Sequence, residues 1–100
     1  MKPIVFHPDA EAELDAAVAY YESQRTGVGL ELKSAVENAI HIIQQNPQVY
    51  PNYKETNCRK CVLRRFPYTI FYRERAASIW IEAVAHQKRK PGYWESRMTD

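Results

Sequence analysis

Residues 78–97 read Ser78-Ile79-Trp80-Ile81-Glu82-Ala83-Val84-Ala85-His86-Gln87-Lys88-Arg89-Lys90-Pro91-Gly92-Tyr93-Trp94-Glu95-Ser96-Arg97. From Ser78 to Ala85 the stretch alternates. Ile79, Ile81, Ala83 and Ala85 face one way; Trp80, Glu82 and Val84 face the other. This is the period of two expected of a strand. The strand stops at His86. Three adjacent cations follow, then a Pro-Gly break, two aromatics and an arginine. A core does not need that order of residues, whereas a surface that grips something negatively charged does.

Working back from this stretch, Glu74-Arg75-Ala76-Ala77 reads as a turn, and Tyr68 to Arg73 is rich in strand formers. Lys60 to Phe66 alternates again, with Lys60, Val62, Arg64 and Phe66 on one face and Cys61, Leu63 and Arg65 on the other. The short links predict an antiparallel meander of three strands. Residues 46–57 carry two prolines and two tyrosines without periodicity and read as a loop. Before them, Leu32, Val36, Ala39, Ile40 and Ile43 mark a helix from Leu30 to Gln45, closed by Pro47, which disfavours helical geometry at Asn46. Leu14, Ala17, Val18 and Tyr21 mark another from Asp9 to Gln24, with Asp9, Glu11 and Glu13 near its positive end. Gly27 and Gly29 separate the two helices into an antiparallel hairpin. Ile4-Val5-Phe6 is a short strand stopped by Pro8. The expected architecture is therefore α+β, in the order β-α-α-β-β-β, with the helical hairpin packed on one face of an antiparallel sheet. The basic residues are expected on the other face or at its rim.

One hundred residues allow one domain, over 1–100, with a single core. No apolar run approaches the roughly 20 residues of a membrane span, and the N-terminal apolar stretch is too short for a signal peptide. A cytoplasmic location and no membrane partner are expected. Net charge is only +2 but is unevenly distributed. Residues 1–50 hold three basic and seven acidic side chains, and residues 51–100 hold eleven and five, so the halves carry −4 and +6. The second half suits an acidic or polyanionic partner, unless the two halves complement each other in the fold. Cys58-Arg59-Lys60-Cys61 is a lone CxxC that leads into a strand rather than opening a helix. It lacks the further ligands zinc wants, so two reduced thiols, no metal and no cofactor are expected.

The order of elements, together with particular residues, resembles the RelE/ParE superfamily of toxins from type II toxin–antitoxin modules. The residues are Ala19-Tyr20-Tyr21 ending the first helix, Asn46-Pro47 after the second, Arg64-Arg65-Phe66-Pro67-Tyr68-Thr69-Ile70-Phe71-Tyr72, and the run from Val84 to Arg97. The resemblance covers nearly the whole chain, and it lies in order and spacing rather than in any one motif. It implies a small toxin neutralised by a cognate antitoxin that lays a helix or extended segment across an apolar groove. RelE-like members cut mRNA in the ribosomal decoding site. ParE-like members share the fold and act on DNA gyrase. Thr69 and Gln87 stand where the nucleases carry arginines, and Tyr93 stands where they carry a functional tyrosine.

RNA cleavage needs a base for the ribose hydroxyl, cations for the developing charge and an acid for the leaving oxygen. His86, Arg89 and Tyr93 are the residues here that can supply them. Each candidate also has a structural role open to it. His86 can cap a loop, Arg64 and Arg65 can pair with Glu74 and Glu82, Tyr93 and Trp94 can pack the tail onto the sheet, and Arg97 can pair with the acidic first helix. The two missing arginines favour the ParE-like reading, a non-enzymatic toxin that binds gyrase. Its target-binding candidates are Arg64, Arg65, His86, Lys88, Arg89, Tyr93, Trp94 and Arg97. The alternatives are a ribosome-dependent mRNA endoribonuclease and a non-toxic relative that only binds antitoxin.

Overall fold

The computed structural model describes residues 1–98; the last two residues of the expected 1–100 domain lie outside the described residues. The chain opens with strand β1 (Ile4–Phe6) and enters helix α1 (Pro8–Gln24) at once. Pro8 does more than end the strand. It occupies the first helical turn, where its missing N–H costs nothing, and the His7 Nδ1 accepts the Asp9 amide at 3.0 Å as a cap. Helix α2 (Val28–Gln45) presents Leu32, Val36, Ala39 and Ile43 as a fully buried stripe. The turn between the helices passes through Gly27 at φ +93°, a left-handed conformation that favours glycine. Glu22, on α1, accepts the amides of Gly27 at 2.8 Å and Gly29 at 3.0 Å, so one helix caps the next. A Cβ at Gly29 would run into the Val18 carbonyl, so the helices meet backbone to backbone at this point.

Strands β2 (Arg59–Val62), β3 (Tyr68–Glu74) and β4 (Ile79–His86) form the expected meander. The sheet order is β1-β4-β3-β2, and β1 lies parallel to β4, which makes the sheet mixed. The long excursion through hairpin, β2 and β3 returns the chain beside β1 in the same direction, a crossover no tight turn can make.

Two strands depart from the expected alternation. Strand β2 ends at Val62 instead of running to Phe66. Pro67 has no amide to donate, and the chain bends so that the Leu63 amide reaches the Tyr68 carbonyl at 3.0 Å. Lys60 and Val62 stay exposed, whereas Phe66 turns inward and meets Tyr21 edge-on at 5.3 Å. In β4, Phe71 pairs with Ala83 but Tyr72 pairs with Ile81, leaving Glu82 as an extra residue. This bulge reverses the phase of the strand. Ile79, Ile81 and Val84 face the helices, while Ala83 and Ala85 face the far side.

The sheet therefore has two cores. The larger lies under the helices and includes Leu32, Val36, Ile43, Ile70, Tyr72 and Ile81. The smaller, on the opposite face, joins Cys58, Phe71, Ala83, Ala85 and Trp94; Arg73 is buried in an ion pair with Glu82, whereas Lys88, Arg89 and Lys90 stand exposed. Cys58 and Cys61, three positions apart near the start of a strand, belong to different cores and lie on opposite faces of the sheet. They are not placed to form a disulfide or share a metal, and among the described residues no group of three His, Cys, Asp or Glu side chains is placed to hold an ion.

Candidate binding site at the end of strand β4

Strand β4 ends at His86, and the chain is turned there by its own backbone. The Gln87 amide donates to the Pro67 carbonyl at 2.8 Å and the Arg89 amide to the His86 carbonyl at 3.0 Å. The His86 Nδ1 accepts the Lys88 amide at 3.1 Å. Gly92, at φ +77°, reverses the chain once more, and the segment that follows crosses the far face of the sheet. Trp94 is only 1% exposed and stacks on Phe71 with ring centres 4.3 Å apart. Trp94 is thus an anchor of the tail and has no face to offer a target.

The tail is tied at its other side to Glu13 on α1. The two Glu13 oxygens accept the Arg97 guanidinium at 3.0 and 2.9 Å, the Tyr93 hydroxyl at 2.5 Å and the Val84 amide at 3.0 Å. Arg97 also donates to the Glu82 carbonyl at 2.9 Å and lies 3.8 Å from Asp9. Arg89 stacks its guanidinium 3.7 Å over the Tyr93 ring, with one nitrogen 3.6 Å from Glu13. Burial alone would raise the Glu13 carboxyl. The hydrogen bonds from Arg97, Tyr93 and Val84, with the Arg97 charge, outweigh it and hold the group below the ordinary range. Burial pushes the Tyr93 phenol up, and its bond to the Glu13 carboxylate pushes it further. Tyr93 therefore stays protonated, its hydrogen committed to Glu13. Arg97, expected among the target-binding residues, is the main tie between tail and helix.

The structure divides the sequence candidates into two groups. His86, Arg89 and Tyr93 converge, forming the wall between two concavities. One is a cavity of about 160 Å³ under the tail turn, which Thr69 and Gln87 also line. The positions compared with nucleases are thus truly neighbours, but they offer a hydroxyl, an amide and a phenol already bonded elsewhere. The other concavity is a cleft between α1 and the tail, which reaches Tyr20 and Tyr68. Lys88 and Lys90 are exposed, and among the described residues neither has an acidic partner. Arg64 and Arg65 lie apart, at a groove between α2 and β2. Neither pairs with Glu74 or Glu82 among the described contacts; Arg65 meets Glu31 at 2.5 Å. The groove is apolar, with Ile42 45% and Val62 55% exposed along it.

Sequence reasoning passed over Glu13 as the hub, although Arg97 pairing with the acidic helix was among its readings.

A family model described as the ParE toxin of the type II toxin–antitoxin system parDE matches residues 4–91. Comparison with curated proteins gives no match. Among solved structures, the chain is similar to one from the chromosomal ParDE TA system of P. aeruginosa, with a TM-score of 0.74 and 21% identity over 86% of this chain and 96% of that one. At that identity the likeness is one of fold.

Proposed function

The chain belongs to the ParE toxin family of type II toxin–antitoxin systems, and from that membership we propose that it arrests growth by binding DNA gyrase and is neutralised by a cognate antitoxin. The observation that carries the non-enzymatic reading is the Tyr93–Glu13 bond at 2.5 Å. A phenol held protonated against a carboxylate is not available as a base. Its neighbours Thr69 and Gln87 bring no charge to stabilise a transition state, and of the guanidinium groups against its ring Arg97 is bound to Glu13 and Arg89 lies 3.6 Å from the same carboxylate. What remains at the corner is a cationic surface. His86, Lys88, Arg89 and Lys90 are its available contacts, Tyr93 and Trp94 shape it from beneath, and Arg97 holds it to α1. A charged surface on a turn tied to α1 suits binding to an acidic protein face.

The antitoxin is assigned to the α2–β2 groove. An amphipathic segment seats its apolar side chains between Ile42 and Val62, with Lys60, Arg64 and Arg65 at hand for acidic residues along its rim. Strand β2 is the edge of the sheet, which leaves room for an extended segment beside it.

Pulse-labelling of DNA and protein synthesis shortly after induction tests the target. The expected result is an early fall in DNA synthesis with a DNA-damage response, weakened but still falling on DNA synthesis in a His86→Ala variant that folds and binds antitoxin. An early fall in protein synthesis, lost with His86→Ala, would overturn the gyrase reading in favour of ribosome-dependent mRNA cleavage. No fall in either, with soluble protein present, would leave an antitoxin-binding relative without toxicity.

A further inference from the structure

The cavity of about 160 Å³ under the tail turn contains a polar group with nothing to bond. Phe71, Ala85 and Trp94 are buried members of its lining, and Thr69 stands among them. Phe71 and Trp94 stack on each other, and Tyr53 meets Phe71 edge-on at 5.1 Å, so the apolar lining is largely aromatic. Thr69 pairs with Ala85 across β3 and β4, which puts both side chains on this face of the sheet. It is 7% exposed, and among the described residues its hydroxyl has no hydrogen-bond partner. Lys90 and Pro91, both exposed, stand at the mouth. Lys90 has no acidic partner among the described residues.

Size, polarity and charge together select an occupant. A cavity of about 150 Å³ accepts one benzene ring. One six-membered ring therefore fits, while an indole or a purine is too large. A ring that displaces water from Thr69 without bonding the hydroxyl leaves a buried polar group unpaired, which weakens binding. A phenylalanine or leucine side chain has this fault. A pyrimidine has the right size but the opposite fault. It brings several donors and acceptors to a buried lining that offers one free hydroxyl, since the His86 Nδ1 is taken by the Lys88 amide and the Gln87 Nε2 by the Tyr68 carbonyl. A phenol brings a single hydroxyl to meet the single hydroxyl. The free charge of Lys90 at the mouth then favours a phenol carried among acidic residues.

We propose that this cavity is a socket for a tyrosine side chain of the protein target, with the ring against Phe71 and Trp94, the hydroxyl on Thr69, and acidic residues beside that tyrosine meeting Lys90. The inference rests on the reading of this corner as the gyrase-binding surface and names the side chain that anchors the target there. A buried tyrosine whose hydroxyl finds a partner is a common interface anchor.

The test titrates the purified toxin with the blocked peptide Asp-Glu-Tyr-Glu-Asp and follows Trp94 emission in a Trp80→Phe background. Binding is expected with Kd on the order of 0.5 mM, in keeping with a ligand that buries one ring. The same peptide with phenylalanine in place of tyrosine should bind about tenfold more weakly. Thr69→Val keeps the shape and the strand preference of the residue, and circular dichroism is expected to show it folded. It should weaken the tyrosine peptide about tenfold and leave the phenylalanine peptide no weaker than before. Lys90→Ala should reduce the salt dependence of binding. Gyrase binding is measured separately, and Thr69→Val should weaken it about tenfold as well. The socket is refuted if the tyrosine peptide does not bind, if Thr69→Val treats the two peptides as the parent does, or if oligouridylate moves Trp94 emission in the parent and not in Thr69→Val, which would assign the cavity to bases. Gyrase bound equally by parent and Thr69→Val would also overturn the socket and leave the gyrase reading standing. Peptide binding without any gyrase binding would uphold the socket and overturn gyrase as the target.

Discussion

Replacing Glu13 by alanine removes the acceptor of four hydrogen bonds, two from Arg97 and one each from Tyr93 and the Val84 amide. The Glu13 and Arg97 side chains are 14% and 12% exposed, so a stranded guanidinium has little water to turn to. Breaking a buried pair from one side costs about 3–5 kcal/mol. Arg97 keeps the Glu82 carbonyl at 2.9 Å and can lean on the exposed Asp9 at 3.8 Å, which places the expectation at the low end, about 3 kcal/mol. For a domain of this size that is a fall in Tm of about 12–24 °C. Glu13→Gln keeps an acceptor oxygen and loses only the charge, so about half the effect is expected. The pairwise part is isolated by a cycle with Arg97→Ala, for which a coupling of about 2 kcal/mol is expected. Urea unfolding followed by circular dichroism gives the energies. Trp94 emission, in a Trp80→Phe background, reports whether the tail has lifted. A cost under about 1 kcal/mol, a coupling under about 0.5 kcal/mol and an unmoved Trp94 spectrum would together show that Glu13 does not hold the tail.

The same carboxylate sets a pH dependence. Its folded pKa is lowered from the ordinary 4.5, so its contribution is complete above 4.5 and is lost as pH falls through the lowered value. Trp94 emission should therefore shift red only below pH 4.5, and the step should vanish in Glu13→Gln; a step of equal size in the variant would assign the transition to other groups. Burial, then the Glu82 charge, pushes the Cys58 thiol up to about 12, and burial raises Cys61 too. Neither should react with a thiol reagent at about pH 8 in the native protein, and both should react in denaturant; rapid native labelling of either would contradict the two-core arrangement. Ile42→Glu and Val62→Glu place an acid on exposed groove positions without disturbing the core. Each should weaken antitoxin binding more than tenfold by calorimetry, and unchanged affinity in both would move the antitoxin elsewhere.

The elements were legible because each is dictated locally. The α2 stripe of Leu32, Val36, Ala39 and Ile43 follows from 3.6 residues per turn, whatever the helix packs on. Where the reading failed, a non-local constraint had broken the local period. Ile79, Ile81, Ala83 and Ala85 look like one face, yet the Glu82 bulge divides them, because pairing with β3 decides which residue is left over. Phe66 left its expected face because the chain had to turn at Pro67 to reach β3.

The site divides in the same way. Charge asymmetry, the cationic run after His86 and the adjacent aromatics are written in the order of residues, and they located the corner of the molecule where binding is assigned. Which of these side chains are available was settled by tertiary structure. Trp94 is buried, Arg97 and Tyr93 are engaged, and Lys88, Arg89 and Lys90 remain exposed. The reason lies in contacts such as Tyr93 with Glu13, eighty residues apart in the chain. A helix period or a strand alternation is fixed by backbone geometry within a few residues. An ion pair across the fold exists only after the sheet has brought its two ends together.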